Sequence, residues 1–390
     1  MFKPSDLERM PKELEHIMTE LEIRIMQDII RRIKINDEIT RSADWQIYRL
    51  VQVGKSREEI RKYIQQALKL SDIEIDRLYK DIIASGYARD ASIYEAVGKD
   101  FIPFEENFEL QQLIQSVIAQ TKQELINITQ TMGFAIEIDG KTVFTPLAEY
   151  LQRTLDQAVF EVTTGTFDYN VTLNKVIREM TKSGVRTVDY ESGWSNRIEV
   201  AARRALMTGV NQVVQHINDF NAQQLGTEYF EVSWHATARP SHQIWQGRVY
   251  TRQQLIDICG LGTGPGLCGW NCYHSYYPFI PGVSVRQWTD EELEKMNAKE
   301  NIPKKYKGEE YTTYEATQRQ RKLETLMRKQ RREIKLLKEG GADEKDIINA
   351  QAKYRATMAE YVDFSKKMGL PQEMERVYAD GLGRVNPGEN

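Results

Sequence analysis

The chain has 390 residues, of which 41% are hydrophobic and 28% charged, and it carries a formal net charge of −4. This length favours two or three domains of an ordinary globular protein, no run approaches the ~18 apolar residues that span a bilayer, and the net charge gives no global attraction to nucleic acid. The first residues lack the apolar segment of a signal peptide, so we expect a chain kept in the reducing cytoplasm, whose three cysteines are free thiols or metal ligands.

The N-terminal region, from residue 7 to residue 88, has the apolar spacing of several helices. Two capping-box patterns, Ser56 to Glu59 and Ser71 to Glu74, predict helix starts, because the hydroxyl and the carboxylate can each bind a free backbone amide. The apolar stripes are narrow and bury little area within one chain, so we expect this arm to need a partner surface, either its own hairpin mate or another subunit, and we favour docking on another protein. The predicted docking residues are Ile25, Met26, Ile29, Ile30 and Ile33.

The middle of the chain combines helices with one hairpin. A helix is predicted over residues 108 to 131, and two short alternating runs then flank Asp139-Gly140, a pair typical of a tight β-turn. Further helices are predicted over residues 146 to 161, 170 to 182 and 195 to 223. Residues 229 to 235 alternate like a strand and lead into the next region.

All three cysteines and three of the five histidines lie between His235 and His274, where Gly, Pro and Trp are also frequent. This crowding predicts one compact α+β module over about residues 228 to 288. Five of the six tryptophans fall between residues 194 and 288, so we expect three of them to be buried together in the interior of the module. These three are Trp234, Trp245 and Trp270.

The C-terminal region is densely charged beyond Thr289. Helices are predicted over residues 314 to 338 and 343 to 368, and Gly340-Gly341 between them predicts an antiparallel helical hairpin. Nine basic residues against two acidic ones give the part of the first helix from Arg319 to Lys338 a local charge of +7. Such a helix suits a phosphate backbone, and a solvated face offset by acidic neighbours is the alternative. The predicted DNA-facing residues are Arg328, Lys329, Arg331, Arg332, Lys335 and Lys338.

These elements predict a mainly α-helical protein with four consecutive segments. The segments are a helical N-terminal docking arm (1–133), a hairpin plus helical region (134–227), a compact α+β module rich in Cys, His and Trp (228–288), and a charged helical hairpin with a tail (289–390).

Metal binding is one interpretation of the module. Cys268, Cys272 and His274 form a tight cluster of thiol and imidazole groups, which suit tetrahedral zinc, and Cys259 or His242 would supply a fourth ligand. The spacing is not that of a zinc finger, which places close ligand pairs at two separate positions. The alternative is that the cysteines are small buried hydrophobic residues and the histidine is hydrogen-bonded in a loop.

Catalysis is a second interpretation of the same module. His235, Arg239 and His242, together with Arg248, offer a general base, a general acid and a phosphate clamp for a phosphodiester-cleaving or group-transfer enzyme. No nucleophile elbow, glycine-rich loop or paired carboxylate frames them, and nothing in the sequence lowers the pKa of a Cys272 nucleophile. The alternative is a set of polar residues that fixes a loop rich in Gly and Trp.

Five groups of residues together resemble a known family. The first group, His235 to Tyr250, contains Pro-Ser-His242 and Trp245-Gln246-Gly247. The second comprises Gly193, Arg203 and Val210-Asn211-Gln212, and the third, Gly266 to Ser275, contains Asn271-Cys272-Tyr-His274. The last two are Pro278 to Gly282 and, further downstream, Tyr314 to Arg321. This combination resembles the phage minor capsid protein 2 family of tailed phages and prophages. The module is also distantly similar to the Mu F-like head morphogenesis proteins.

The resemblance implies a minor structural component of the virion, made in the bacterial host and associated with the portal inside the phage head. It implies the portal protein, other head proteins and packaged DNA as partners, and no membrane. It offers no catalytic residues to carry over. We therefore expect neither enzymatic activity nor a cofactor, with zinc as the one candidate metal.

Overall fold

A computed structural model describes residues 4–37, 45–87, 90–163, 168–189 and 193–382. Within these ranges the chain is mainly α-helical and carries three small antiparallel sheets, which confirms the predicted fold class. None of the helices in the described ranges combines the length and the apolar character that a membrane crossing requires.

The helices follow one another along most of the chain. They are α1 (Pro4–Arg9), α2 (Lys12–Asp37), α3 (Trp45–Ile82), α4 (Ala91–Ala96), α5 (Phe108–Gln130), α6 (Leu147–Thr163), α7 (Tyr169–Ser183), α8 (Ile198–Leu225), α9 (Pro240–Gln243), α10 (Arg252–Asp257), α11 (Asp290–Glu300), α12 (Thr313–Gly340), α13 (Glu344–Met368) and α14 (Met374–Val377). A π-helical turn, Ile83–Tyr87, continues α3, and a 3₁₀ turn, Phe104–Glu106, precedes α5.

The strands are short. They are β1 (Met132–Ile138), β2 (Lys141–Pro146), β3 (Arg186–Val188), β4 (Ser195–Arg197), β5 (Tyr229–Val232), β6 (Val249–Thr251), β7 (Tyr276–Phe279), β8 (Lys304–Tyr306) and β9 (Glu309–Tyr311). The sheets have the orders β2-β1-β3-β4, β6-β5-β7 and β8-β9.

The chain divides into two compact units, each assembled from three separate stretches. Unit 1 comprises Met1–Glu13, Asp72–Glu124 and Arg203–Arg319, and unit 2 comprises Leu14–Ser71, Leu125–Ala202 and Gln320–Asn390. The four consecutive segments drawn from composition do not follow this division, because helices that are distant in the sequence pack into the same core. The α+β module over 228–288 lies entirely within unit 1.

Helix α2 supplies much of the core of unit 2. Ile25, Met26 and Ile29 are each 0% exposed, so the prediction that this group docks on another protein is wrong. The physical reason is that the apolar surface of α2 is not a narrow stripe but continues onto further sides of the helix. A helix with such a wide apolar surface is buried within its own chain. The buried apolar residues of α2 are Leu14, Ile17, Met18, Leu21, Ile23, Ile25, Met26, Ile29, Ile30 and Ile33.

The two capping-box patterns do not start helices, since both serines lie inside the continuous helix α3. Both are fully buried, and each hydroxyl makes a hydrogen bond inside the fold. Ser71 donates to the carbonyl of Ala67 at 2.8 Å, and Ser56 donates to the carboxylate of Asp28. Packing of this helix face therefore overrides the local capping signal.

The predicted hairpin around Asp139-Gly140 is confirmed as β1 and β2. Asp139 and Gly140 have φ angles of 49° and 74°, the left-handed pair that a tight two-residue turn requires, and Ile138 pairs with Lys141 across it. Phe134 and Ile136 are buried, so one face of β1 is turned to the core of unit 2. Strand β3, which pairs with the start of β1, was not predicted.

The predicted C-terminal hairpin is confirmed as α12 and α13. The pairs Gln320–Ser365, Glu324–Tyr361 and Gln330–Thr357 are hydrogen-bonded, and their reversed order shows that the two helices run antiparallel. Helix α12 ends at Gly340, and Gly341 takes a φ angle of 72° that favours glycine.

Candidate metal centre in the Cys/His module

The module in unit 1 is built on the sheet β6-β5-β7. Strand β5 lies at its centre, and the facing residues of all three strands pack on a buried cluster with the helices around them. The cluster comprises Ala222, Phe230, Val232, Trp245, Tyr250, Leu255, Cys259, Leu261, Leu267, Cys272 and Tyr276. Because this core anchors both ends of the two long connections, residues 233–248 and 252–275, it fixes the polar side chains that those connections carry.

The three tryptophans of the module do not share one interior. Trp245 is buried at 3% exposure, as predicted, whereas Trp270 is 66% exposed and its predicted burial is wrong. The indole of Trp270 lies flat over Gly264, where an added Cβ would come within 2.8 Å of the ring. Trp234 is partly exposed and donates to Asn297 Oδ1 at 3.2 Å.

Three potential ligand atoms meet in the interior of the module. His242 Nδ1 lies 3.4 Å from His274 Nδ1, and Cys272 Sγ lies 3.8 Å from the first and 3.5 Å from the second. All three residues are buried, with 1 to 3% of each exposed. His242 comes from the short helix α9, whereas Cys272 and His274 come from the loop that leads into β7.

The outer nitrogen of each histidine is a hydrogen-bond donor. His242 Nε2 lies 2.8 Å from the carbonyl oxygen of Pro265, which can only accept. His274 Nε2 lies 2.9 Å from Gln246 Oε1, which also accepts from the backbone amide of His235. In the neutral form of each ring, the inner nitrogen therefore carries a lone pair and no proton.

The orientation of the Gln246 amide is fixed by its neighbours. The indole N–H of Trp234 can only donate, so the atom of Asn297 that it meets is the acceptor Oδ1. Gln246 Nε2 donates to the same oxygen at 3.0 Å, and Asn297 Nδ2 donates to the carbonyl of Gln243 at 2.9 Å. The Oε1 atom of Gln246 must then face His274.

Burial sets the charge state of this group of side chains. It lowers the pKa of His242 to about 4 and lowers the pKa of His274 well below its ordinary value, so both imidazoles are neutral at physiological pH. Burial also raises the pKa of the Cys272 thiol. A bound cation would reverse that last effect, because a coordinating thiol is deprotonated.

The other two cysteines lie away from this cluster. Cys259 is part of the hydrophobic core, and burial raises the pKa of its thiol to about 12. Cys268 points its sulfur at the carbonyl oxygen of His274, 3.6 Å away. The predicted ligand set is therefore corrected: only Cys272 and His274 are brought together, with His242, which had been an alternative fourth ligand, as the third member.

The three proposed catalytic side chains are each engaged within the loop. Arg239 Nη2 donates to the carbonyl of Trp270 at 2.6 Å, and His235 Nδ1 lies 2.8 Å from the carbonyl of Ala236. His242 is buried with its outer nitrogen on Pro265. The ring of His235 packs against the ring of His274, with their centroids 4.1 Å apart.

A cavity of about 220 Å³ adjoins the cluster within unit 1. It lies between α8 and the loop that carries the cysteines, and Asn211 donates across its edge to the carbonyl of Cys268 at 2.8 Å. Cys268 and Cys272 both line this cavity, and Arg203 and Arg204 lie at its helix side. The cavity therefore gives small solutes a route towards the Cys272 side of the cluster.

The predicted DNA-facing set on α12 is only partly on the surface. Arg331 and Arg332 are 1% and 3% exposed, so their assignment to DNA is wrong. Arg331 binds Asp380 through two hydrogen bonds of 2.7 Å, and Arg332 binds the buried carboxylate of Glu22. They turn inwards because unit 2 contains buried carboxylates that need a cation.

The remaining four basic residues lie at or near the surface of unit 2. Lys338 is exposed, whereas Lys329 and Lys335 are partly exposed. Lys335 forms an ion pair of 2.9 Å with Glu339, one turn further along α12. Arg328 is half-buried and donates to the carbonyl of Arg376 at 3.0 Å.

Fold and site together define a mainly α-helical protein whose dense α+β module encloses a Cys/His cluster. The chain belongs to the Phage minor capsid protein 2 family, whose sequence profile matches residues 2–365. It is also similar to a protein of Lactococcus phage LL-H described as a structural protein, with 24% identity over 264 residues that cover 63% of this chain and 68% of the relative. No solved structure matches the chain significantly. The resemblance seen in the sequence is confirmed, and the protein is a structural protein of a phage particle.

Proposed function

We propose that the protein is a minor head protein that associates with the portal inside the phage head and supports head assembly and DNA packaging or delivery. The family match over residues 2–365 carries this proposal, because it takes in both compact units rather than one shared module. The phage LL-H relative, described as a structural protein, supports the same class.

In this proposal, exposed side chains make the contacts with the portal. The apolar residues of α2 are buried in unit 2, and those of the module are buried in unit 1, so neither group is available to the portal. Removing α2 would open the core of unit 2. Surface substitutions, and not truncations, are therefore the appropriate tests of portal binding.

In this proposal, the lysines of α12 that reach the surface make the contact with packaged DNA. Lys329, Lys335 and Lys338 present positive charge to solvent, although Glu339 offsets part of it at Lys335. A small number of phosphate contacts gives weak, salt-dependent binding that carries no sequence preference. Such binding suits a protein that lies beside packaged DNA.

The position of the protein in the phage particle is tested by the protein composition of virions and by protection from protease. Mass spectrometry of purified virions should find the protein at a low, fixed copy number, and heads assembled without a portal should lack it. Protease should cut it only after the heads are opened by osmotic shock. Cleavage in intact heads, or unchanged incorporation without the portal, would contradict the proposal.

The DNA contact is tested by charge reversal. The pair Lys335→Glu and Lys338→Glu should lower the amount of DNA retained per head without changing incorporation of the protein. A matched control reverses the exposed Lys295 and Lys299 on α11, with the same change in net charge. Equal DNA content in both double variants would exclude a DNA contact at α12.

We further infer that His235 and Arg239 act by fixing the loop and not by catalysis. Each side chain contacts a backbone carbonyl of the module, at Ala236 and Trp270 respectively. The purified protein should therefore leave single- and double-stranded DNA uncut. DNA cleavage that His235→Ala abolishes would refute this inference and revive the enzyme alternative.

A further inference from the structure

We propose that His242, Cys272 and His274 bind one zinc ion through Nδ1, Sγ and Nδ1, and that this ion ties helix α9 to the loop before β7. The proposal concerns this chain's own module and does not depend on the portal or DNA assignments. It rests on the positions of three ligand atoms, on the tautomers that their neighbours impose, and on the balance of donors and acceptors inside the cluster.

The ligand triangle has the size that one zinc ion requires. Zinc binds imidazole nitrogen at about 2.0–2.1 Å and thiolate at about 2.3 Å, so a tetrahedral angle separates two nitrogens by about 3.3 Å and a nitrogen from the sulfur by about 3.6 Å. The observed separations are 3.4 Å between the two nitrogens and 3.5 and 3.8 Å from the nitrogens to the sulfur. A single ion placed among the three atoms would therefore reach all of them without a change of fold.

The outer nitrogens of the two histidines have the hydrogen-bond partners typical of metal ligands. A metal-bound histidine donates its other ring N–H to a carbonyl or carboxylate, which fixes the ring and its tautomer. His242 makes such a contact with Pro265 O and His274 makes one with Gln246 Oε1. Asn297 orients the Gln246 amide in turn, so the hydrogen bonds that hold the His274 ring in place extend to helix α11.

Hydrogen bonding alone leaves the cluster incompletely satisfied. With both outer nitrogens donating, the two inner nitrogens face each other as acceptors at 3.4 Å. The one thiol proton of Cys272 can be donated to only one of them. A cation at the centre satisfies both nitrogens and the sulfur at once, and buried acceptors that face each other are otherwise unfavourable.

The ligand chemistry selects a metal that prefers nitrogen and sulfur to oxygen. Two imidazoles and one thiolate match zinc, whereas calcium and magnesium prefer oxygen ligands. The three protein ligands leave a fourth tetrahedral position, which we assign to a solvent molecule that enters from the cavity beside Cys272. Cys268 is not assigned to it, because its sulfur contacts the carbonyl of His274.

The direct test measures metal content in the full chain. Protein purified without chelators and dialysed against zinc should contain about one equivalent of zinc by elemental analysis. Cys272→Ser, His242→Gln and His274→Gln should each lose most of it. Cys259→Ser and Cys268→Ser serve as matched controls that should keep it. Less than a tenth of an equivalent in the wild type, or equal loss in the two controls, would overturn the proposal.

A second measurement separates metal loss from misfolding. Cobalt substituted for zinc should give the intense visible bands of tetrahedral coordination together with a sulfur-to-cobalt charge-transfer band, and Cys272→Ser should lose both whereas Cys268→Ser should keep both. Chelator should lower the melting temperature of the wild type and leave that of a folded His242→Gln variant unchanged. Octahedral cobalt spectra, or a chelator effect that is equal in both proteins, would contradict the assigned ligand set.

Discussion

Replacing Arg331 tests whether the basic helix α12 is a structural element of unit 2. The side chains of Arg331 and Asp380 are both 0% exposed and are joined by two hydrogen bonds of 2.7 Å. The guanidinium also lies over the ring of Tyr378, 4.7 Å from its centroid. Arg331→Met preserves much of the packing volume but leaves the Asp380 carboxylate without its cation.

The expected loss of stability follows from the uncompensated charge of Asp380. Removing one partner of a buried ion pair destabilises a protein by about 3–5 kcal/mol, whereas replacing both partners by apolar residues is close to neutral. We therefore expect Arg331→Met to lower the opening free energy of α12 by about 3–5 kcal/mol and the double variant with Asp380→Leu to recover most of it. A DNA-facing arginine would instead give a change within about 0.5 kcal/mol.

Amide hydrogen exchange followed by mass spectrometry suits this measurement, because it reports on each part of the chain separately. Exchange should accelerate in α12 and α13 of the Arg331→Met variant, while β5 in unit 1 should keep its protection. Lys338→Met, on the same helix but exposed, is the matched control. A loss below about 1 kcal/mol in Arg331→Met would refute the assignment of a buried ion pair.

Three further outcomes are expected. Trp245→Ala should destabilise unit 1 by about 3–5 kcal/mol, because the indole is buried, whereas Trp270→Ala should be nearly neutral; equal effects in denaturant titrations would contradict the burial difference. Gly209→Ala should destabilise by about 1–3 kcal/mol, because its Cβ would lie 2.3 Å from the Tyr79 hydroxyl. Gly54→Ala, which meets no atom within 4 Å, should stabilise α3 by up to about 1 kcal/mol, and melting curves of the two variants that shift in the same direction would be inconsistent with this. In metal-free protein, burial lowers the pKa of His242 from 6.5 to about 4, so the unfolded chain binds a proton in that interval that the folded chain does not. The free energy of unfolding should therefore fall as the pH falls through that interval, and His242→Gln should weaken this dependence; an unchanged pH profile in the variant would argue against a buried neutral imidazole.

Local signals in the sequence predicted the elements whose structure is decided locally. Asp139-Gly140 specifies its turn through two left-handed residues, and Gly341 ends α12 for the same reason. Helix α11 could have been found in the same way, because Thr289 and Glu292 form a complete capping box. Where a pattern fixes the backbone within a few residues, distant contacts have little to change.

The interpretations that failed concern burial, which depends on residues far away in the chain. Periodicity showed that α2 is amphipathic but not what covers it, and composition showed that α12 is basic but not that Asp380 and Glu22 would draw two arginines inwards. Likewise, sequence proximity suggested Cys268 as a ligand, whereas the fold brings His242 to Cys272 from 30 residues away. The hydrogen bond between His274 and Gln246 could not be predicted from the sequence either, because it forms only once the fold has brought the two side chains together.

The division of each unit among three distant stretches has a consequence for synthesis. The ion pair between Glu22 and Arg332 joins residues 310 positions apart, and the contact between His16 and Ala379 spans 363. On the ribosome, α2 must therefore wait for nearly the whole polypeptide before its partners Arg332 and Ala379 emerge. Folds dominated by such long-range contacts form slowly and expose apolar surface meanwhile. A nascent chain of this kind is a natural client for host chaperones, and a ribosome that stops before Arg319 would release a fragment unable to complete either unit.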